Sequence, residues 1–365
     1  MLLTGLLALG VTTGVFISLS ILLLVAERYM ANYGTCVISV NEGSSVFELQ
    51  GGGTLLAALY ENKVFIPSAC GGKGSCGYCK ATVLNGGGPI LPTETPYMSR
   101  TELRGGVRLT CQVKIKENIE IRLPEELLSV KEYKGRVSLV RSLTYDIKEI
   151  NMDLIDPEEI NHRPGQYVQI LAPGPDGPVF RAYSISSPSY EKNYVQLIVR
   201  LVPGGIASTY IHNLKEGDEV IFTGPFGEFH LSEDAATEVV CVGGGAGMAP
   251  ISNIVHSIYH RWPERKCHLF FGCRTTKDIF YLDMFEQLAK EHPGFKVTYA
   301  LSDPLESDEK WDGDTGFIHL SVEKRLTSEH KRQAFMCGPP PMIEAATEIL
   351  KSKGIWEEDI FYDKF

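Results

Sequence analysis

Apolar and polar positions along the chain change period several times. Residues 36–40 read as a strand, and residues 46–48 continue the extended pattern. Residues 55–61 repeat at helical spacing, and 107–113 and 119–123 alternate. Short β-type runs follow at 136–140, 167–171, 194–201 and 219–223, with Pro164-Gly165 and Pro203-Gly204-Gly205 between them. Many short strands between turn residues predict an antiparallel barrel. From 239 the pattern alternates strand with helix: strands at 239–242, 268–272, 296–300 and 334–337, helices at 249–259, 280–292 and 342–353. That order predicts a doubly wound parallel sheet.

The first stretch is different. Residues 2–26 carry no charge and Glu27-Arg28 follows. As a helix the stretch would reach ~38 Å, enough to cross a hydrocarbon core of ~30 Å. A cleaved signal peptide would need a basic start and a shorter apolar run. The segmentation is therefore a transmembrane anchor at 1–30, an α+β domain with one helix at 33–128, a β-barrel at 131–232 and an α/β domain at 237–365. Net charge is −10. That argues against a nucleic-acid partner, which calls for basic patches. Arg28 is the only cation flanking the apolar run, and it places the bulk of the chain in the cytoplasm.

Four of the nine cysteines carry the chemistry. Cys70, Cys76 and Cys79 stand as C-x5-C-x2-C, and Cys111 follows after 31 residues on what reads as a strand. Three thiolates on a glycine-rich loop plus a distant fourth can enclose a [2Fe-2S] cluster; plant-type ferredoxins use x4 in place of x5. Zinc modules present two close Cys/His pairs, and a zinc ion needs no glycine cradle. Gly71, Gly72, Gly74 and Gly77 would let amides point at cluster sulfur. A disulfide framework fits poorly with an odd cysteine count. Cys36, Cys241, Cys267 and Cys273 read as buried thiols.

Two further segments suggest phosphate-bearing cofactors. Arg181-Ala182-Tyr183-Ser184, followed by Gly205-Ile206-Ala207-Ser208-Thr209, offers a cation, an aromatic surface, hydroxyls and a helix start, the groups a flavin requires. Gly243-Gly244-Gly245-Ala246-Gly247-Met248-Ala249-Pro250 joins a strand to a helix, as a pyrophosphate-binding turn does, without the strict G-x-G-x-x-G spacing. Cys337-Gly338-Pro339-Pro340-Pro341-Met342 ends another strand, so Cys337 would lie at the ligand-binding edge of the sheet. Read alone, each segment also suits an ordinary strand, turn or buried thiol.

R-A-Y-S, G-x-x-S, G-P-F-G, G-G-G-A-G-M-A-P and C-G-P-P-x-M, in this order, resemble the ferredoxin–NADP reductase superfamily. With the cysteine segment and the apolar start, the whole chain resembles the F subunits of sodium-translocating NADH:quinone oxidoreductases. The resemblance implies a β-grasp ferredoxin domain, a flavin barrel and a nucleotide domain. It implies that Cys70, Cys76, Cys79 and Cys111 hold the cluster. It implies that Arg181, Ala182, Tyr183, Ser184, Gly205, Ser208, Thr209 and Phe226 hold FAD. Gly244, Gly245, Ala246, Gly247, Met248, Ala249, Pro250, Arg274, Cys337, Gly338, Pro339 and Met342 would hold NADH. Phe365 would stack on the flavin ring, and Ser184, Cys337 and Asp363 would surround the reacting atoms. Arg274-Thr275-Thr276-Lys277 could suggest NADPH, since a cation near the ribose can take a 2′-phosphate; the resemblance implies NADH. A hydride carries two electrons and a cluster accepts one, so the implied order is NADH, FAD, cluster, then integral-membrane redox subunits.

The implied location is a bacterial or archaeal inner membrane, crossed once, with the catalytic domains in the cytoplasm. The chain departs from those F subunits in a short stretch between Gly165 and Arg181, where they carry a long insertion, and in ending at Phe365 without two further glycines. Reductases that feed an oxygenase or demethylase share the three modules and are the first alternative; an electron carrier or scaffold without turnover is the second.

Overall fold

The computed structural model describes residues 10–22, 33–175, 177–227, 229, 231–303, 310–327 and 331–364. The chain forms two compact units, Met1–Ser129 and Val130–Phe365.

In the first unit, five strands run in the order Ser45–Gln50, Thr35–Val40, Ile119–Arg122, Lys80–Asn85, Val107–Leu109. The outer pairs are antiparallel, and Thr35–Val40 lies parallel to Ile119–Arg122. The helix Leu55–Glu61 matches the expected segment. Thr54 caps it, its hydroxyl accepting from the Ala57 amide at 3.3 Å. Its buried Leu55, Ala58 and Leu59 pack with Ile38, Val40, Leu109 and Ile121. The expected strand at 107–113 stops at Leu109. The amides of Gln112 and Val113 both turn back to the Leu109 carbonyl, so Cys111 sits in a turn. Residues 10–22 form a helix with exposed side chains. Among the described residues no helix is long and apolar enough to cross a membrane; the remainder of the expected span, 2–9 and 23–26, lies outside them.

The second unit contains two lobes. Six antiparallel strands run Tyr194–Arg200, Ile147–Asp156, Lys131–Ser142, Glu219–Phe226, Tyr167–Ala172, Val179–Ser184. A bridge between Ile185 and Leu197 joins the two outer strands and closes the barrel. Arg181 to Ser184, outside the β-type runs expected from the sequence, are in a strand. The other lobe is a parallel sheet in the order Asp314–Thr315, Phe295–Leu301, Cys267–Cys273, Glu238–Gly244, Arg332–Gly338, Ile360–Lys364. The order reverses at Glu238–Gly244, which makes the neighbouring strand ends a topological switch point, where ligands of open α/β sheets bind. Separate apolar cores lie on the two faces of this sheet. Cys36, Cys241, Cys267, Cys273 and Cys337 are buried.

Candidate functional site

The cysteine loop runs through four glycines with positive φ: Gly71 (66°), Gly72 (82°), Gly74 (74°) and Gly77 (76°). A side chain would be strained at each. At Gly74 a Cβ would also lie 2.6 Å from Gln112 Nε2, and at Gly77 2.8 Å from Tyr97 Cβ. The loop and the turn holding Cys111 gather the four thiols two by two. Cys70 and Cys76 lie 3.3 Å apart, Sγ to Sγ, and Cys79 hydrogen-bonds Cys111. Among the described residues no three His, Cys, Asp or Glu converge as a mononuclear ion would require. Two thiolates for each of two irons is the demand of a two-iron cluster, and these donors fit it.

Hydrogen bonds favour thiolates at two of the four positions. Burial opposes the Cys70 thiolate, but the amides of Ser75 and Lys73 and the Cys76 thiol outweigh it, lowering its pKa to about 7. Cys111 is lowered to about 6 by its bond with Cys79, then by Gln112 and the Gly74 amide, against burial. Cys79 is pushed up by the bond with Cys111 and by burial, and Cys76 chiefly by burial. Anionic sulfur is the form that binds metal.

A buried ion pair supports this loop. Arg108 donates to Glu94 through Nε (2.9 Å) and Nη2 (2.6 Å), and its guanidinium also reaches the carbonyls of Gly87, Gly88 and Pro89. Glu94 accepts from the Leu109 amide at 3.0 Å, two residues before Cys111. Burial works against the Glu94 carboxylate, yet Arg108 and the Leu91 and Leu109 amides hold its pKa below the usual range. This contribution to stability is present above the ordinary glutamate pKa and is lost as pH falls through the lowered one. Glu94→Ala would leave Arg108 buried and unpaired, at a cost of about 3–5 kcal/mol. Thermal loss of cluster absorbance should shift sharply downward while flavin release is unmoved; equal shifts in both would refute this role.

In the barrel, Val179–Ser184 pairs with Tyr167–Ala172, setting Ala182 opposite Gln169 and Ser184 opposite Tyr167. Arg181 donates through Nη1 to the Phe180 carbonyl at 2.6 Å. The Tyr183 hydroxyl is raised to about 12 by burial, with Arg181 pulling the other way. The helix Ile206–Asn213 starts after Gly205 and packs on both strands. Ser208 is committed to the preceding turn, accepting from the Val202 amide at 3.1 Å, while Thr209 in the same turn is exposed. Phe226 is 1% exposed and packs on Tyr167 at 5.7 Å, so it belongs to the core rather than to an open surface.

The nucleotide segments meet at the switch point. A Cβ on Gly247 would lie 2.1 Å from the Cys337 carbonyl oxygen, and one on Gly338 would lie 2.5 Å from Met342 Cε. Gly244, Cys337, Gly338 and Met342 thus form one crevice wall at the start of the helix Met248–Arg261. Met248, Ala249 and Pro250 are buried, so they fix the helix start. Pro339 caps the helix Pro340–Ser352. The lobes are pinned beside this wall, since Asn253 donates to the carbonyl of Ile185, the residue after Ser184, at 3.2 Å.

Cys337 lies opposite Asp363 in the parallel ladder. Burial raises the Asp363 carboxyl to about 6, and burial followed by Asp363 raises the Cys337 thiol. Asp363 therefore favours the fold in its neutral form, and stability is lost as pH rises from about 4 through 6. Asp363→Asn should raise the melting temperature at pH 8 and leave it unchanged near pH 4. A constant gain at both would overturn the assignment. Phe365 lies outside the described residues.

Some contacts at the site have no local motif. Arg200 ends a barrel strand, and a Cβ on Gly245, where φ is 56°, would lie 2.2 Å from its Nη2. Arg200 is held by Asp146 at 3.3 Å, so a barrel turn places a cation on the glycine turn. The neighbouring Tyr145 hydroxyl accepts from Arg274.

Three family models match in series: a 2Fe-2S iron-sulfur cluster binding domain over 38–116, an oxidoreductase FAD-binding domain over 134–231 and an oxidoreductase NAD-binding domain over 241–348. The chain is 38% identical to the F subunit of the Na(+)-translocating NADH-quinone reductase of Neisseria meningitidis serogroup C, over 97% of each chain. It is 36% identical to that of Actinobacillus succinogenes over 98% of each. Among solved structures it resembles the Amycolatopsis cytochrome P450 reductase GcoB, with a TM-score of 0.72 and 30% identity over 90% of this chain and 98% of that one. The ferredoxin reductase in carbazole 1,9a-dioxygenase matches with a TM-score of 0.68 and 26% identity over 91% and 99%.

Proposed function

Because the chain belongs to the family of Na(+)-translocating NADH-quinone reductase F subunits, we propose that it oxidises NADH and feeds single electrons to redox subunits in a membrane. The observation that carries this reading is the series of three domains in one chain, with thiols gathered two by two and a nucleotide crevice at the switch point. Bound FAD supplies acceptance of a hydride and release of its electrons singly, and the cluster takes one at a time.

The chain's own residues bind and position. Gly244 to Gly247 let the backbone approach a pyrophosphate, and the start of Met248–Arg261 favours its charge. Arg274, Pro339 and Met342 would complete the NADH site, with Gly338 and Cys337 beside the nicotinamide. Arg181, Tyr183, Ser184, Gly205, Ser208 and Thr209 would hold FAD. Phe365 would cover its ring. Cys70, Cys76, Cys79 and Cys111 would hold the cluster, its potential set by the glycine-loop amides. Anaerobic NADH titration of the purified chain tests this. Flavin and cluster signals should bleach in turn, and a chain that binds no flavin would end the proposal.

Residues 1–30 act as a single-pass anchor that keeps the catalytic domains on the cytoplasmic side of a bacterial or archaeal membrane; the uncharged run from 2 to 26 supports this. Removing 1–30 should give a soluble NADH dehydrogenase active with artificial acceptors, and retention of that product in the membrane fraction would refute the anchor. The likeness to oxygenase-linked reductases favours a second reading, delivery to an oxygenase. Purification from native membranes separates the two, because either pump subunits or an oxygenase would accompany the chain.

A further inference from the structure

The edge of the parallel sheet at Arg274 carries a second layer of design, and its interpretation rests on the reading of this crevice as an NADH site. Arg274 follows the strand Cys267–Cys273, at the end of the sheet where a nucleotide's ribose would lie. An arginine followed by two threonines and a lysine is a donor set suited to a 2′-phosphate, which carries a charge of about −1.5 to −2.

In the fold, key members of that set are already engaged. Thr275 caps the turn Thr276–Asp278, and both its amide and its hydroxyl donate to Asp278 Oδ2 at 2.9 Å. The Arg274 guanidinium donates to the hydroxyl of Tyr145, which the barrel turn carries across to it. The carboxylate bonded into this donor set is that of Asp278. After the Tyr145 hydroxyl, Asp278 and then Asp146 favour the charged Arg274 guanidinium, and Asp146 is itself paired with Arg200 at 3.3 Å. A dianionic phosphate would have to displace Tyr145 from Arg274 and approach Asp278. A free 2′-hydroxyl faces neither obstacle.

We propose that Asp278 and Tyr145 set the preference of this site for NADH over NADPH, Asp278 by a fixed carboxylate and Tyr145 by occupying Arg274. The two act from different lobes, so the discrimination depends on the barrel turn as well as on the nucleotide domain. Asparagine at 278 keeps an oxygen for the Thr275 cap and removes the charge. Phenylalanine at 145 keeps the ring and releases Arg274.

The test compares kcat/KM for NADPH and NADH in the full chain loaded with flavin. The wild type should favour NADH. Asp278→Asn and Tyr145→Phe should each raise the NADPH/NADH ratio about tenfold, the effect of about 1.4 kcal/mol, and together by more. Adding Arg274→Ala to the double variant should cancel the gain. Ratios within twofold of wild type in folded variants overturn the proposal, as does a wild type that prefers NADPH. If Asp278→Asn fails to fold, Tyr145→Phe alone must still raise the ratio. A flavin-loaded wild type that oxidises neither nucleotide overturns the underlying functional reading, and this proposal with it.

Discussion

Cys76→Ala is expected to abolish electron delivery beyond the flavin while NADH still bleaches the flavin at close to its normal rate. The thiol of Cys76 lies 3.3 Å from that of Cys70, and the pair would supply half of the cluster's donors. With one thiolate gone, one iron keeps a single protein ligand and the cluster should be lost. Cys79 and Cys111 cannot substitute, because both would already be engaged on the other iron. The first unit has its own core, so the flavin and nucleotide lobes should survive the change. Anaerobic stopped flow checks this by following flavin absorbance and the cluster's paramagnetic signal separately. If flavin reduction disappeared in a folded, flavin-loaded variant, the linear order from nucleotide to flavin to cluster would be wrong.

Gly247→Ala should produce the opposite defect, with the cluster intact and the entry of electrons blocked. The residue's φ is −63°, so its backbone would suit any amino acid. Space is what forbids a side chain, since a Cβ would lie 2.1 Å from the Cys337 carbonyl oxygen and 2.6 Å from its carbon. Both are backbone atoms, so the glycine turn and the end of the Cys337 strand must separate. A displacement near 1 Å at a reacting centre can cost about 10²-fold in rate. NADH-driven flavin bleaching should fall by about that factor or more, whereas dithionite should reduce flavin and cluster normally. A loss smaller than a few fold would mean that the crevice is not where the nicotinamide is presented.

The two defects rest on features of unequal visibility in the sequence. Cysteine spacing alone pointed to a two-iron site, because spacing on a tight loop constrains which thiols can meet. The helix Leu55–Glu61 was legible because a threonine cap and apolar spacing agree. Cys111 was misplaced on a strand because Leu109-Thr110-Cys111-Gln112-Val113 alternates as a strand does, and alternation does not reveal two amides folding back onto Leu109. The strands Lys80–Asn85, Ile147–Asp156 and Ile360–Lys364 were missed, although residues 150–154 alternate as a strand does, and partner strands supply their pairing. The same holds for the site. Arg181 and Gly247 could be found by motif. Glu94 with Arg108, Arg200 on Gly245 and Tyr145 on Arg274 could not, because each contact joins residues whose separation in the chain carries no signal.

The division between Ser129 and Val130 has a thermodynamic consequence. Each unit encloses its own apolar cores, and a cooperative transition extends only as far as a shared core. Heating should therefore give two endotherms in calorimetry rather than one. The cluster's visible absorbance will follow one of them and flavin fluorescence the other. A midpoint read from either chromophore describes the unit that holds it, and mild heat can bleach the iron site in molecules that still reduce their flavin.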